Sequence, residues 1–417
     1  MNEADLGIGP HLTDTPGIGG RLRVEPSDFI VTEIQRHRGV EGGRYLVALI
    51  RAENWETNAL VDAMARRLCI GRDRISFAGT KDKRAITERY FSFRDLDALD
   101  LRLKGVEVLE MSWRSTSVRM GDLRGNRFTI RVREVDPGAL DRVEPIARVL
   151  LERGVPNYFG VQRFGAVRGN THEIGRRIVV GDWQGAVDLI VGRPVEAEGE
   201  EIAAARRAYD EGEDPARVRA MFPPWSGVER TVLRALLSHP DRPSRAVAAL
   251  PRNLQLMYVH AFQSYLFNIY LGERMERGLL DPQVGDLVAE RDADGRPDLR
   301  RPHRVSTANL EKVRTRCASG RAAILGPIPG TGTEFSGDPS GDIMGAIMGR
   351  EGVSTSDFAV RELPYLTTRG TYRPLLASLM EFSFDRRDVV FHFRLPPGTY
   401  ATSVMREFMK VDDPMRY

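Results

Sequence analysis

Apolar and polar positions alternate at both ends of this chain and recur at helical spacing through its middle. Gly20 to Ile34 alternates through Leu22, Val24, Phe29 and Val31 and is interrupted by Pro26, which predicts two short strands joined by a turn. Tyr45 to Arg51 predicts another strand. In the next segment Leu60, Val61, Met64 and Leu68 share one helical face, ahead of a stop at Gly71. A short apolar run from Ile75 to Ala78 ends in Gly79, and strand character resumes from Arg89 to Phe93. Residues 105–135 predict two strands joined across Gly121 to Gly125, and Asp141 to Glu152 predicts a helix. Helical periodicity then covers Ile174 to Ile190, Glu200 to Tyr209, Val228 to Leu237 and Leu254 to Arg277. Residues 281–345 are rich in Gly, Pro and Asp, with isolated strand-like pieces such as Asp286 to Ala289. The chain closes with strands at Leu375 to Phe384 and Val389 to Leu395, a Pro-Pro-Gly turn, and a helix from Ala401 to Lys410.

Strand-rich ends around a helix-rich middle imply a domain interrupted by an insertion and completed by its own C-terminal strands. Two domains also suit a length of 417 residues, given that single cores stop growing at about 250–300 residues. The charge balance, 61 basic against 58 acidic side chains, neither requires nor excludes nucleic acid. Its distribution is more informative. Arg119, Arg124, Arg127, Arg131 and Arg133 stand against one acid, Asp122, as a basic strip of the kind that tracks phosphates, and Arg163, Arg168, Arg176 and Arg177 form a second cluster. The acidic stretch 196–214 reads as a solvated helix face or loop. Cys69 and Cys317 are too far apart in sequence and too isolated to suggest a zinc site or a disulfide framework. No apolar run approaches the length of a membrane span, and no leader pattern opens the chain, so a soluble, cytoplasmic protein is expected.

Candidate chemistry concentrates in Gly79-Thr-Lys-Asp-Lys-Arg-Ala. Two of the chain's five lysines, Lys81 and Lys83, flank Asp82 there, whereas basic residues elsewhere are nearly all Arg. A carboxylate among cations is held ionised to low pH, which suits a nucleophile or an electrostatic stabiliser better than a proton donor. The same string also fits an exposed turn of mixed charge. In the strand from Leu123, period-two alternation puts Asn126, Phe128, Ile130 and Val132 on one face and Arg127, Thr129, Arg131 and Arg133 on the other. By pattern alone Phe128 is most simply a core ring. The alternative is that Asn126 and Phe128 offer an amide and an aromatic face to a flat ligand such as a nucleobase. Asn157-Tyr-Phe-Gly-Val-Gln-Arg-Phe-Gly fits both an aromatic and basic platform for RNA and a tight turn with buried rings. His260 has Ser264 rather than a ligand four residues on, so it reads as structural or surface. P-loop and dinucleotide fingerprints are missing, which sets aside nucleotide-driven chemistry and hydride transfer.

Five segments taken together resemble the TruD family of pseudouridine synthases: Gly79-Thr-Lys-Asp-Lys-Arg-Ala, Gly125-Asn-Arg-Phe, the Asn157 segment, His260-Ala-Phe-Gln-Ser-Tyr-Leu-Phe-Asn and Leu395-Pro-x-Gly-x-Tyr-Ala-Thr. They occur in the family's order from about residue 20 to the end, and Thr80 and the long insertions look more like archaeal or eukaryotic members. The resemblance implies an α+β fold: a discontinuous catalytic domain with a mixed, largely antiparallel sheet over residues 1–155 and 370–417, and an inserted helix-rich α/β TRUD domain over 156–369. It implies Asp82 as the catalytic aspartate, Phe128 as the ring stacking on the target uracil and Asn126 as its companion, with Arg23, Lys81, Lys83 and Arg163 also assigned to substrate binding. One position departs from the family: Arg23 stands where Lys is usual, three residues before Pro26. Arg keeps the charge but transfers a proton poorly, so either the role at this position is electrostatic, holding Asp82 charged and oriented, or Lys81 or Lys83 supplies the proton.

The expected activity is isomerisation of uridine to pseudouridine in tRNA, at position 13 of the D arm, with no cofactor or metal. The expected protein is a monomer with no membrane and no obligatory protein partner. Two other readings are an RNA-binding protein without catalysis and a hydrolase pairing Asp82 with Glu88, the one nearby acid.

Overall fold

The structure, a computed structural model, describes residues 2–36, 40–79, 84–165, 167–335, 339–413 and 416–417. The chain divides into two compact units. One comprises residues 11–157, 290–298 and 376–417, and the other residues 1–10, 158–289 and 299–375. Residues 1–10 are thus part of the second unit, where Leu6 is fully buried.

The first unit is built on an eight-stranded sheet of described residues: β1 Phe29–Gln35, β2 Glu41–Glu53, β3 Ile75–Phe77, β4 Ile86–Arg94, β5 Val106–Arg114, β6 Leu123–Arg131, β7 Met380–Asp385 and β8 Val390–Leu395. The order is β7-β8-β6-β1-β4-β2-β5, with β3 paired to β4. β1 and β4 run parallel, while the other described pairs in this sheet are antiparallel. The C-terminal strands therefore complete the sheet beside β6. Strand breaks follow the expected chemistry: a short 3-10 turn at Pro26–Asp28 precedes β1, and Gly121 turns with φ of +82° before β6.

Side-chain parity sets out one face of this sheet. Phe29 and Val31 of β1 lie opposite Ile130 and Phe128 of β6, which in turn lie opposite Phe391 and Phe393 of β8. These residues are buried with the helices Val143–Arg153 and Ala401–Met409 in one apolar cluster. On the same face Phe91 and Phe93 of β4 lie opposite Ala48 and Leu46 of β2, in a second cluster with Leu60, Val61 and Met64 of the helix Thr57–Arg67. Between the clusters runs a seam whose buried side chains are polar: Glu33, Thr87, Arg89 and Asn126.

The second unit centres on a 25-residue helix, Arg252–Glu276, in which Phe262, Leu266, Phe267 and Tyr270 are fully buried. The helix Thr171–Val179 crosses it closely because Gly175 has no side chain; a Cβ there would stand 2.0 Å from the Tyr258 carbonyl oxygen. The periodic stretch 174–190 is two helices, broken where Asp182 caps the second by accepting from the Gly185 N–H at 2.9 Å. Residues 281–345, expected to be mostly irregular, contain the helices Leu310–Ala318 and Pro339–Arg350 and the buried strand Ala322–Ile328. Arg274 and Asp286, each at most 1 % exposed, pair through two bonds of 2.6 and 2.9 Å. The run Leu375 to Phe384 is not one strand, since Thr371–Pro374 pairs with Ala322–Ile328, Leu376–Ala377 pairs with Val155–Pro156, and β7 begins at Met380.

Candidate active site

Asp82, Lys81 and Lys83 lie outside the described residues. The Ala85 carbonyl accepts from the Asn54 N–H at 2.9 Å, and Ala85 is buried in the same cluster as Phe128. β4 starts at the next residue, with Ile86 opposite Ile30 of β1, so β4 enters the sheet at the end where β1 also begins.

Arg23 is at that end. Its φ is +56°, a left-handed conformation that non-glycine residues rarely adopt, and its guanidinium sits 4.2 Å from the centroid of the Phe29 ring. Phe29 in turn meets Phe128 edge-on with centroids 6.2 Å apart, and Phe393 packs on Phe128 at 5.4 Å. Phe128 is 6 % exposed. Most of its surface is therefore used by the core. Two residues away on the same face stands Asn126, opposite Glu33 of β1 and Leu395 of β8. Asn126 is buried and its Oδ1 accepts no hydrogen bond from the described residues. An orphaned amide carbonyl costs the fold about 1–3 kcal/mol, which is tolerated where a ligand can supply the donor.

Glu33 and Arg89 belong to the same seam, and sequence reasoning passed over both. Glu33 Oε2 accepts from the Tyr90 N–H at 3.3 Å. Arg89 is 1 % exposed and donates from Nη1 to Thr57 Oγ1 at 2.9 Å. Burial pulls the Arg89 guanidinium below the usual arginine range, opposed by the charges of Glu33 and Glu56. The signal was available: both residues fall on the buried parity of otherwise apolar strands. Glu88 lies on the other face, where it accepts from Thr32 Oγ1 at 2.8 Å and pairs with Arg51 at 3.7 Å. That orientation takes it away from Asn126 and Phe128, and so weakens the paired-carboxylate reading.

The basic strip is largely neutralised within its own unit. Arg124 pairs with Asp294 at 2.8 Å, Arg127 with Glu381 at 2.8 Å, Arg131 with Asp388 at 3.6 Å and Arg133 with Asp28 at 2.7 Å. Arg124 holds Asp294, and Arg127 holds Glu381, below the usual carboxylate range. The strip thus reads as a charge-matched edge of the β6–β7–β8 region.

Arg163 belongs to the other unit. Its Nε donates to Ser264 Oγ at 3.1 Å, and its guanidinium lies 5.8 Å from the Phe159 ring. In the surrounding motif Tyr158, Phe159 and Phe164 are buried, so these rings serve packing rather than an open platform. The rest of the second basic cluster is also committed. Arg168 donates to the carbonyls of Ile190 and Gly192, Arg176 to that of Glu351, and Arg177 pairs with Asp182 at 2.5 Å. Among the described residues no three His, Cys, Asp or Glu side chains gather in a way that would hold a metal ion, and no helix is long and apolar enough to cross a membrane.

Comparison with known proteins accounts for nearly the whole chain. Residues 5–408 match the family described as tRNA pseudouridine synthase D (TruD). A probable tRNA pseudouridine synthase D from Methanosarcina acetivorans is 39 % identical, with 98 % of this chain and 97 % of the relative covered. Another from Halobacterium salinarum is 37 % identical over 98 % and 97 % of the two chains. The crystal structure of a putative TruD from Methanosarcina mazei superposes with a TM-score of 0.83 at 36 % identity, covering 100 % of this chain and 99 % of that one. The architecture is that of an α+β pseudouridine synthase, and the chain belongs to the TruD family of tRNA pseudouridine synthases.

Proposed function

We propose that this chain isomerises uridine to pseudouridine in tRNA, at position 13 of the D arm, with Asp82 as its essential carboxylate and without a cofactor. Family membership over the whole chain supports the activity. The single structural observation that carries the site is the buried carbonyl of Asn126, without a donor among the described residues, beside Phe128 on one sheet face. A uracil N3–H is a donor suited to such an acceptor, and the ring of Phe128 offers an aromatic neighbour.

The chemistry is balanced within the substrate. The N1–C1′ bond breaks, the base turns, the C5–C1′ bond forms, C5 loses its proton to solvent and N1 gains one. Asp82 serves this either by attacking C1′ or by removing a sugar proton, and both routes give the same product. Arg23 acts electrostatically on the carboxylate, since a guanidinium stays protonated throughout. Lys81 and Lys83 add positive charge beside it. The sheet unit is the catalytic domain, and the helical unit, which carries Arg163, is the family's inserted domain. The enzyme works as a cytoplasmic monomer with no obligatory protein partner.

The test is tritium release from tRNA transcripts labelled at uridine C5. Release is expected with wild type, is abolished by Asp82→Ala, and is absent from a transcript lacking a uridine at position 13. A folded wild type that binds tRNA but releases no tritium from any cellular RNA refutes the activity. Persistent release by Asp82→Ala refutes the assignment of the carboxylate.

A further inference from the structure

We propose that the corner where the helix Gly227–Ser238 meets the helix Pro243–Ala248 is an RNA-contacting surface of the helical unit, with Arg234, Arg242 and Arg245 on phosphates and Trp225 stacked on a base. The proposal rests on the reading that the substrate is tRNA.

The first argument is what these guanidinium groups lack. Arginines across the chain are mostly tied to carboxylates or carbonyls, as the strip at 124–133 and the cluster at 168–177 illustrate. Arg234, Arg242 and Arg245 are exposed and make no ion pair among the described residues. Arg245 Nη1 lies 3.2 Å from His239 Nε2, which holds Arg245 against the end of the first helix. Nearby acids offer little compensation. Glu229 is engaged by Arg206 at 2.7 Å and Glu213 by Arg217 at 3.5 Å, leaving exposed Asp241 against three guanidinium groups. Uncompensated arginines on one corner attract a polyanion.

The second argument is Trp225. It is 75 % exposed, although the neighbouring Phe222 is 1 % exposed, so an apolar core lies within three residues. Pro223 and Pro224 precede it, which stiffens the backbone and displays the indole with little entropy left to lose. An exposed indole at one end of a helix and unpaired guanidinium groups towards the other supply the stacking and the phosphate contact that a nucleic-acid strand uses. At about 1.5 Å per residue, Arg234 lies roughly 10 Å along the helix from the Trp225 end, and the far end, near Arg242 and Arg245, about 18 Å, lengths that a stacked strand covers in about three to five nucleotides.

The experiment is fluorescence anisotropy of labelled tRNA transcript binding to the full chain across a salt series, with steady-state pseudouridine formation measured in parallel. Arg234→Ala/Arg242→Ala/Arg245→Ala is expected to make the slope of log affinity against log salt shallower by about two to three units. It should raise KM and leave kcat unchanged, as removal of uniform binding does. Trp225→Ala is expected to weaken binding about five- to a hundredfold with the slope unchanged. A control triple with the same charge change elsewhere, Arg66→Ala/Arg296→Ala/Arg321→Ala, should have the smaller effect. Circular dichroism confirms that each variant is folded. An unchanged salt slope in the corner triple, or an equal loss in the control triple, overturns the proposal. Tritium release by wild type decides the enzymatic reading separately, so the two failures are distinguishable.

Discussion

Replacing Asn126 should separate stability from activity. Its side-chain oxygen is buried without a donor, and its backbone is held on both sides by β1 and β8, whose pairing does not depend on the side chain. Leucine has the same branched arrangement of four side-chain heavy atoms, although its methyl groups are bulkier, and continues the apolar face made by Phe128 and Ile130. Asn126→Leu removes an unsatisfied acceptor, a gain of up to about 1–3 kcal/mol, and places apolar surface next to the Glu33 carboxylate, which offsets part of it. The net expectation is a gain of roughly 0–2 kcal/mol. For a unit of nearly 200 residues that corresponds to a rise in Tm of about 0–8 °C, taking roughly 2–4 °C per kcal/mol. If the carbonyl receives a substrate donor, kcat/KM should fall by about 10–100-fold or more, because a buried hydrogen-bond partner has been removed from the reacting complex. Differential scanning calorimetry and tritium release on the same preparations read both quantities. A variant destabilised by more than about 1 kcal/mol would show that Asn126 is a structural residue. Full activity with unchanged stability would remove it from the site.

Arg23→Lys should retain most activity because the charge remains, whereas Arg23→Ala should lower kcat by about 10²–10³-fold, the usual scale for an electrostatic group; equal loss in both would assign the role to the planar guanidinium. Asp286→Asn should cost the helical unit about 3–5 kcal/mol by leaving Arg274 buried without its counter-ion, and Arg274→Met/Asp286→Leu should recover most of it in a denaturant titration. Burial lowers the His172 pKa to about 4, so the unfolded chain binds the extra proton first, and stability present above pH 6.5 is lost as pH falls towards 4. The loss is up to about 3 kcal/mol, and a plot of Tm against pH should flatten over that window in His172→Phe, where the ring can still pack near Tyr265 and Phe164.

The elements that sequence pattern exposed best are those with one strong period. β6 keeps Phe128 and Ile130 buried and Arg127 exposed, as alternation requires, and the long helix from Arg252 buries Tyr258, Phe262, Leu266 and Tyr270 at helical spacing. Pattern failed where one apolar run is shared among partners. Leu375 to Phe384 looks continuous, yet strand pairing with distant segments divides it between two sheets, Leu376–Ala377 in one and β7 in the other. The helix Leu310–Ala318 escaped notice because one residue, Val313, is buried, so it shows almost no period. In the site, Asn126, Phe128 and Arg23 were singled out from short motifs. Glu33 and Arg89 were not, since neither is part of an unusual string and only the register shows that they share a buried seam. The basic strip misled for the converse reason: its neutralising acids, Asp294, Glu381 and Asp388, are far away in sequence.

The position of β8 has a consequence during synthesis. β6 ends at Arg131 and its partner β8 begins at Val390, with residues 132–389, 258 in all, between them. A ribosome adding about 5–20 residues per second leaves that edge of β6 open for roughly 13–50 s. A nascent sheet with an open edge invites pairing with another chain, and the arginines of β6, whose acidic partners on the C-terminal strands do not yet exist, are then unneutralised. Mutual repulsion between such edges protects the unfinished protein from its own copies, and the late arrival of Glu381 and Asp388 removes the repulsion as the sheet is completed.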